Sequence, residues 1–223
     1  PWMCPPRTLR MRISKIAPSR HKDGRWLIWL EDGSLLRVGE AEMLDFSLHA
    51  GLELDDAAAD RLLAAARKGR LREKALALLT ARPMSRRELI DRLTACPRDR
   101  EKPPLADEVQ AAETADWLER LGLLNDAEYA RTVVRHYSAK GYGPYKIRDE
   151  LYRRGVAREL WEDALAETAD PCAAIDAFLR QKLKGAPTDR RELKKASDAL
   201  ARRGYHWSDI SEGLRRWGAD IEE

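Results

Sequence analysis

The chain has 223 residues, of which 35% are charged and 43% apolar, with a formal net charge of only +3. That size allows one or two domains, and the balance fits a helical, solvent-rich protein better than a compact enzyme. So small a net charge excludes a polycation, so any nucleic-acid affinity has to come from local basic patches.

In chain order, Leu9, Met11 and Ile13 alternate with Arg10, Arg12 and Ser14, and Trp26, Ile28 and Leu30 alternate with their neighbours in the same way, which is strand periodicity. Asp32-Gly33 supplies a tight-hairpin signal ahead of Leu35, Leu36 and Val38. Three short strands are expected near 8–16, 25–31 and 34–38, with a polar loop over 18–24. A sheet this small needs a helix to cover it. Residues 40–49, closed by Gly51, read as that helix, and Asp55 caps another that carries Leu62, Leu63 and Ala66 on one face. Residues 1–68 are thus expected to form an N-terminal unit of strands and covering helices.

From about residue 70 the pattern is all-helical. Ala75, Leu76, Leu78 and Leu79 mark a helix that ends before Arg82-Pro83. Ser85 and Glu88 make a capping box, with Leu89 and Leu93 on the buried face. A charged, proline-containing insert over 98–104 precedes a helix near 109–121, which Gly122 ends. Asn125 and Glu128 cap the next helix, in which Tyr129, Val133, Val134 and Tyr137 recur at helical spacing. Gly141 stops it, and Gly143-Pro144 starts another with Ile147, Leu151 and Gly155. A third helix near 157–168 completes the set. Asp170-Pro171 opens a last set near 171–184, 189–203 and 208–217.

The helices fall into threes over 69–124, 125–168 and 169–223. Aligning the middle helices puts Leu89, Ile147 and Leu193 in register, with Arg86-Arg87, Tyr145-Lys146 and Arg190-Arg191 near equivalent turns. The third helices carry Trp117, Trp161 and Trp207, assigned to packed faces with Leu121, Leu165 and Ile210 as partners. Self-similarity of this kind marks a tandem repeat. The expected fold is mainly α: tandem three-helix repeats stacked into an elongated curved array, with a small three-stranded N-terminal segment.

Asp126, Glu128, Tyr129, Ala130 and Val134, followed by Gly141, Gly143, Pro144, Ile147, Glu150, Leu151, Gly155 and Val156, resemble the signature of the RecX family, regulators of the bacterial RecA recombinase. Residues 78–89 and 118–126 are similar to the same family, so the resemblance covers about 70–205, and the N-terminal segment resembles the strand-rich extension of longer members. The resemblance implies a cofactor-free protein that lies in the helical groove of the RecA–DNA filament and inhibits its ATPase, strand-exchange and coprotease activities. The chain departs from the family pattern in the insert over 97–104 and in its weak third repeat.

The second repeat concentrates basic and aromatic side chains. Arg131 and Arg135, four apart, share one helix face. Lys140, Lys146, Arg148, Arg153 and Arg154 follow, with Tyr142 and Tyr145 among them. Such residues neutralise phosphates, pair with acidic partner surfaces or stack on bases; the alternative is a solvated charged face. Arg86 and Arg87, like Arg190 and Arg191, open helices where the dipole prefers acids, so either a partner supplies negative charge there or solvent screens the cost.

Enzyme chemistry finds no support. A P-loop is missing, His21, His49, His136 and His206 have no ligand-spaced partners, and no recognisable triad context occurs. Three readings stand: a regulator of the recombinase filament, a helical-repeat protein that binds DNA directly, or a structural helical adaptor for some other assembly. Cys4, Cys96 and Cys172 argue for a reducing compartment. With no run near the ~20 apolar residues of a membrane span, and no apolar stretch in residues 1–6 for a secretory signal, a cytoplasmic monomer without a membrane partner is expected.

Overall fold

The structure, a computed structural model, describes residues 11–96, 104–167, 170–183 and 190–217. Trp2, Cys4, Leu9, Arg10 and most of the expected insert lie outside the described residues. The chain splits into two compact units, one of residues 1–81 with 93–114, the other of 82–92 with 115–223. Among the described residues no helix is long and apolar enough to cross a membrane.

The first unit holds β1 (Met11–Pro18), β2 (Arg25–Leu30), β3 (Leu35–Gly39), α1 (Glu40–Asp45), β4 (Glu53–Leu54) and α2 (Asp56–Ala81). The strands form one antiparallel sheet in the order β3-β2-β1-β4. At the hairpin, Asp32 accepts the Ser34 N–H at 2.8 Å and its hydroxyl at 2.6 Å. Ile13, Ile28, Leu30 and Val38 from the sheet bury against Leu48, Leu54 and the α2 residues Ala59, Leu62 and Ala66. This is the helix-covered sheet that the alternation calls for.

Three details differ from expectation. The covering helix stops at Asp45 rather than near His49, because Ser47 takes φ +46°, a left-handed conformation incompatible with a continuing helix. The chain then returns to β1. Gly51 N–H bonds to Ile13 O at 2.8 Å and Ile13 N–H to Leu52 O at 3.0 Å, so a fourth strand forms where two residues are too few to show periodicity. Finally, the two helices expected around residues 55–66 and 75–79 are one unbroken α2, which runs through Gly69. A mid-helix glycine costs about 1 kcal/mol relative to alanine. Here it also makes room for Glu42, whose Oε1 would lie 3.3 Å from an added Cβ.

α3 (Arg86–Thr94) and α4 (Glu108–Arg120) follow. The second unit continues with α5 (Asp126–Ala139), α6 (Pro144–Arg153), a 3-10 turn (Arg158–Leu160) and α7 (Trp161–Ala166), then α8 (Pro171–Leu183), α9 (Arg190–Arg202) and α10 (Trp207–Arg216). The 3-10 turn replaces the first part of the helix expected from residue 157. Two three-helix cores result. Tyr129, Val133, Val134, Ile147, Leu151 and Leu165 bury together in one; Ile175, Leu179, Leu200, Ile210 and Leu214 do so in the other.

A shared helix ending reveals the repeat register. Gly155 (φ +69°) and Gly204 (φ +86°) end α6 and α9 in the left-handed conformation. The next N–H closes back on the helix in each: Val156 to Leu151 O at 3.0 Å, Tyr205 to Leu200 O at 3.3 Å. Counted back from these glycines, Ile147 matches Ala196, not Leu193. Ala196 is fully buried whereas Leu193 is only half-buried. Sequence alignment slipped because Leu is the stronger apolar signal. Trp207 is likewise no core residue: it is 54% exposed, and Tyr205 and Ile210 fill the core instead. Leu121, the expected partner of Trp117, is also 54% exposed, while Leu118 is buried. Trp161 is half-buried and donates its indole N–H to Val156 O at 3.0 Å.

Candidate functional site

The middle helices of the second unit meet end to end. At the start of α6, Gly143 N–H donates to Arg203 O at 2.8 Å and Tyr145 N–H to Gly204 O at 3.1 Å. These two contacts satisfy orphan donors of α6 with carbonyls from the end of α9. A Cβ on Gly143 would lie 2.4 Å from Gly204 O, so both glycines permit the approach. The start of α3 meets the end of α6 in a related way: the Ser85 hydroxyl donates to Arg154 O and, as N-cap, accepts the Glu88 N–H at 3.1 Å. Asp126 accepts the Arg86 N–H at 2.7 Å. Burial lifts the Asp126 carboxyl above the usual range, Arg86 N–H opposes that, and nearby Glu119 adds to it.

The α3–α6 junction opens into a hollow of about 430 Å³ lined by Arg82, Arg87, Glu88, Asp91, Tyr152, Arg153, Arg154 and Gly155. It sets four arginines against two carboxylates. Arg82 pairs with Glu88, which also takes Arg92 Nε at 3.1 Å. Arg153 pairs with Asp149 and, at 3.3 Å, with Glu150. Arg87 is exposed and has no ion-pair partner among the described residues. Tyr152 is 61% exposed with its ring on the rim. Arg154 is different in kind: it donates to Tyr129 Oη at 2.9 Å and Tyr137 Oη at 3.5 Å, beneath the surface. Partial burial opposes its charge, yet the bonds to Tyr137 and Tyr129 outweigh this and hold its pKa above the ordinary arginine value. Such a guanidinium is a strut of the repeat.

The remaining candidates lie elsewhere. Arg131 and Arg135 converge on Glu128, at 3.4 and 2.6 Å, and Arg131 also reaches Glu167 at 2.8 Å. Hydrogen bonds from Arg135 and Arg131 hold Glu128 below the usual carboxylate range. Arg148 grips Glu162 at 3.1 Å. Lys140 caps the end of α5 with its ammonium 5.7 Å from the Tyr137 ring; Tyr142 is half-buried against the same ring. Tyr145 is 55% exposed and stacks on His206 at 5.8 Å, next to Lys146, which pairs with Asp149 at 3.6 Å. Arg86 is tied to Asp116 at 2.6 Å and Glu119 at 2.8 Å. Partial burial works against its charge, but these carboxylates raise its pKa. Its position at a helix start is therefore balanced inside the protein. Arg190 and Arg191 are exposed in the first turn of α9, and the corrected register removes their equivalence to Arg86-Arg87.

The fold thus gathers Arg87, Arg153 and Arg154 into one hollow and leaves Arg131, Arg135 and Arg148 outside it. Sequence reasoning missed Arg82, read only as the end of a helix, and Tyr152. The available signal for Tyr152 was an aromatic on the polar side of α6 beside two arginines. Among the described residues no group of His, Cys, Asp and Glu could hold a metal ion.

Residues 125–165 match the family described as RecX, second three-helix domain. The chain is 37% identical over 146 residues to the regulatory protein RecX of Xanthomonas axonopodis pv. citri (strain 306), a match covering 64% of this chain and 85% of that protein. It is 35% identical over 155 residues to the regulatory protein RecX of Escherichia coli (strain K12), covering 66% and 92%. A crystal structure of regulatory protein RecX superposes with a TM-score of 0.67 at 22% identity, over 92% of this chain and 99% of that one. RecX from Lactobacillus salivarius superposes with a TM-score of 0.58 at 22% identity, over 68% and 97%.

Proposed function

The chain belongs to the RecX family of regulatory proteins, and from that premise we propose that it binds the filament the RecA recombinase forms on DNA and lies in its helical groove. Its helices then work as three groups over 69–124, 125–168 and 169–223, with α2 shared between the first group and the N-terminal strands. Seated in the groove, the protein blocks incoming DNA and hinders the subunit motions that accompany ATP turnover, so ATPase, strand exchange and coprotease activity all fall. It acts in the cytoplasm as a cofactor-free monomer and performs no chemistry of its own.

The observation that carries this reading is the α3–α6 hollow. Arg87 and Tyr152 have exposed side chains there, and the half-exposed Arg82 and Arg153 pair at the surface with Glu88, Asp149 and Glu150, of which only Asp149 is well exposed. Surface pairs of that sort are worth about 0–1 kcal/mol, so they exchange readily for an acidic partner or a phosphate. Arg and Tyr are also the residues that most often dominate binding energy. Tyr145 and Lys146 form a second contact one repeat further on. Several modest contacts along one chain gain affinity through effective concentration.

The test is inhibition of the DNA-dependent ATPase of the recombinase by the purified protein. Depression at or below one protein per recombinase subunit, with an unrelated DNA-dependent ATPase inhibited far less, supports the reading. Equal inhibition of both enzymes replaces it with the rival function, direct binding that competes for DNA.

A further inference from the structure

A second basic surface lies wholly within the first compact unit. β3, α2 and the 19–24 loop enclose a hollow of about 490 Å³ whose cations include Lys22, Arg25, Arg37 and Arg70. Three carboxylates, Asp23, Glu42 and Glu73, line it as well. Glu73 takes both Lys22 and Arg25, and Glu42 accepts the Gly39 N–H at 2.9 Å. Arg37 and Arg70 face the hollow from different elements, are exposed, and have no ion-pair partner among the described residues.

This contrasts with the second unit, where Arg86, Arg131, Arg135, Arg148 and Arg153 each hold a carboxylate. α2 extends the pattern. Arg67, Arg70 and Lys74 recur at i, i+3 and i+7, hence on one face, with a rise of about 10 Å from first to last. Arg67 and Lys74 are exposed and also unpaired among the described residues. A row of exposed cations with no internal counter-charge repels itself, and an anion of repeating charge relieves that repulsion. The spacing suits successive phosphates of a nucleic-acid strand, and guanidinium forks match phosphate oxygens. The hollow itself is sized for a phosphate with its sugar, and duplex DNA would meet only its rim.

We propose that Arg37 and Arg70, flanked by Arg67 and Lys74 on α2, form a phosphate-tracking site for the backbone of nucleic acid. The site does not depend on the recombinase reading, since it needs no second protein.

The experiment uses the full chain without recombinase. Fluorescence anisotropy with a labelled oligothymidine and with a labelled duplex is recorded across a salt series. Four backbone contacts predict a log–log salt slope near −3 for the single strand, and R37E with R70E is expected to reduce it by about 1.4 while weakening affinity at least about tenfold. R180E with R215E, two exposed positions in the other unit, serves as the comparison and is expected to leave the slope intact. A duplex that binds no more tightly than the single strand fits the hollow. Circular dichroism checks the fold, and R37K with R70K, which keeps both charges, is expected to keep the slope. An unchanged affinity and slope in a folded R37E/R70E variant overturns the proposal. So does binding of polyglutamate with none of either oligonucleotide, which would assign the surface to an acidic protein.

Discussion

Gly204→Ala is the sharpest probe of how the second unit is built. The residue sits at φ +86°, where an added Cβ would lie 2.4 Å from Lys146 N. A side chain in the left-handed region costs about 1–2 kcal/mol. The clash is with backbone, so no rotamer relieves it, and α6 must withdraw from α9. Withdrawal breaks the bonds from Gly143 N–H and Tyr145 N–H, each worth about 1 kcal/mol. The expected total is about 3–4 kcal/mol. Gly122→Ala is the matched control. Gly122 has φ +69° but nothing within 4 Å of an added Cβ, so only the conformational cost of about 1–2 kcal/mol applies. Urea denaturation gives the global effect, and hydrogen exchange at the Gly143 and Tyr145 amides locates it. Faster exchange at those amides in G204A alone is predicted. Equal losses in the two variants, with both amides still protected, would refute an end-to-end junction.

The arginines should separate by what they touch. Arg154→Gln removes two bonds to tyrosine hydroxyls and is expected to destabilise the protein by about 2 kcal/mol, whereas Arg153→Ala, an exposed pair, changes it by less than about 1 kcal/mol; thermal denaturation distinguishes them. Asp126→Ala strips the acceptor from Arg86 N–H, a capping loss of about 1 kcal/mol by the same measurement. A carbon-detected NMR pH series should find the Asp126 carboxyl displaced above, and the Glu128 carboxyl below, the ordinary carboxylate range. Burial raises Asp126, so its ionisation weakens the fold, and its contribution improves as pH falls through the raised value toward the ordinary one. Hydrogen bonds lower Glu128, so its stabilisation is present above the ordinary carboxylate pKa and is lost as pH falls through the depressed one.

Much of the helical plan was legible because its punctuation is local. Asn125, Gly141, Gly143-Pro144 and Gly155 act through their own backbone conformation, and each stands where expected. Pairing across distance was not legible. β4 exists only because β1 offers an edge, and Gly69, which reads as a break in sequence, sits inside an unbroken α2 where Glu42 comes close. Composition made Leu193 look like the repeat's anchor; geometry gives that place to Ala196, since close helix packing favours the smaller side chain. The candidate site divides along the same line. Basic residues on α5 and α6 were visible as a cluster, but whether each was already neutralised depended on carboxylates brought in from elsewhere. Glu162 and Glu167 balance Arg148 and Arg131, and Asp116 and Glu119 balance Arg86. Tyr152 and Arg82 became candidates only when the end of α6 was seen beside the start of α3.

The claim on which the functional account rests is that the α3–α6 hollow docks on the recombinase filament. Co-sedimentation with preformed RecA–DNA filaments tests it most directly, comparing the wild-type chain with an R87E/R153E/Y152A variant of unchanged helix content. The wild type is predicted to pellet with the filament and the variant to remain in the supernatant. Equal pelleting of the two would contradict the account.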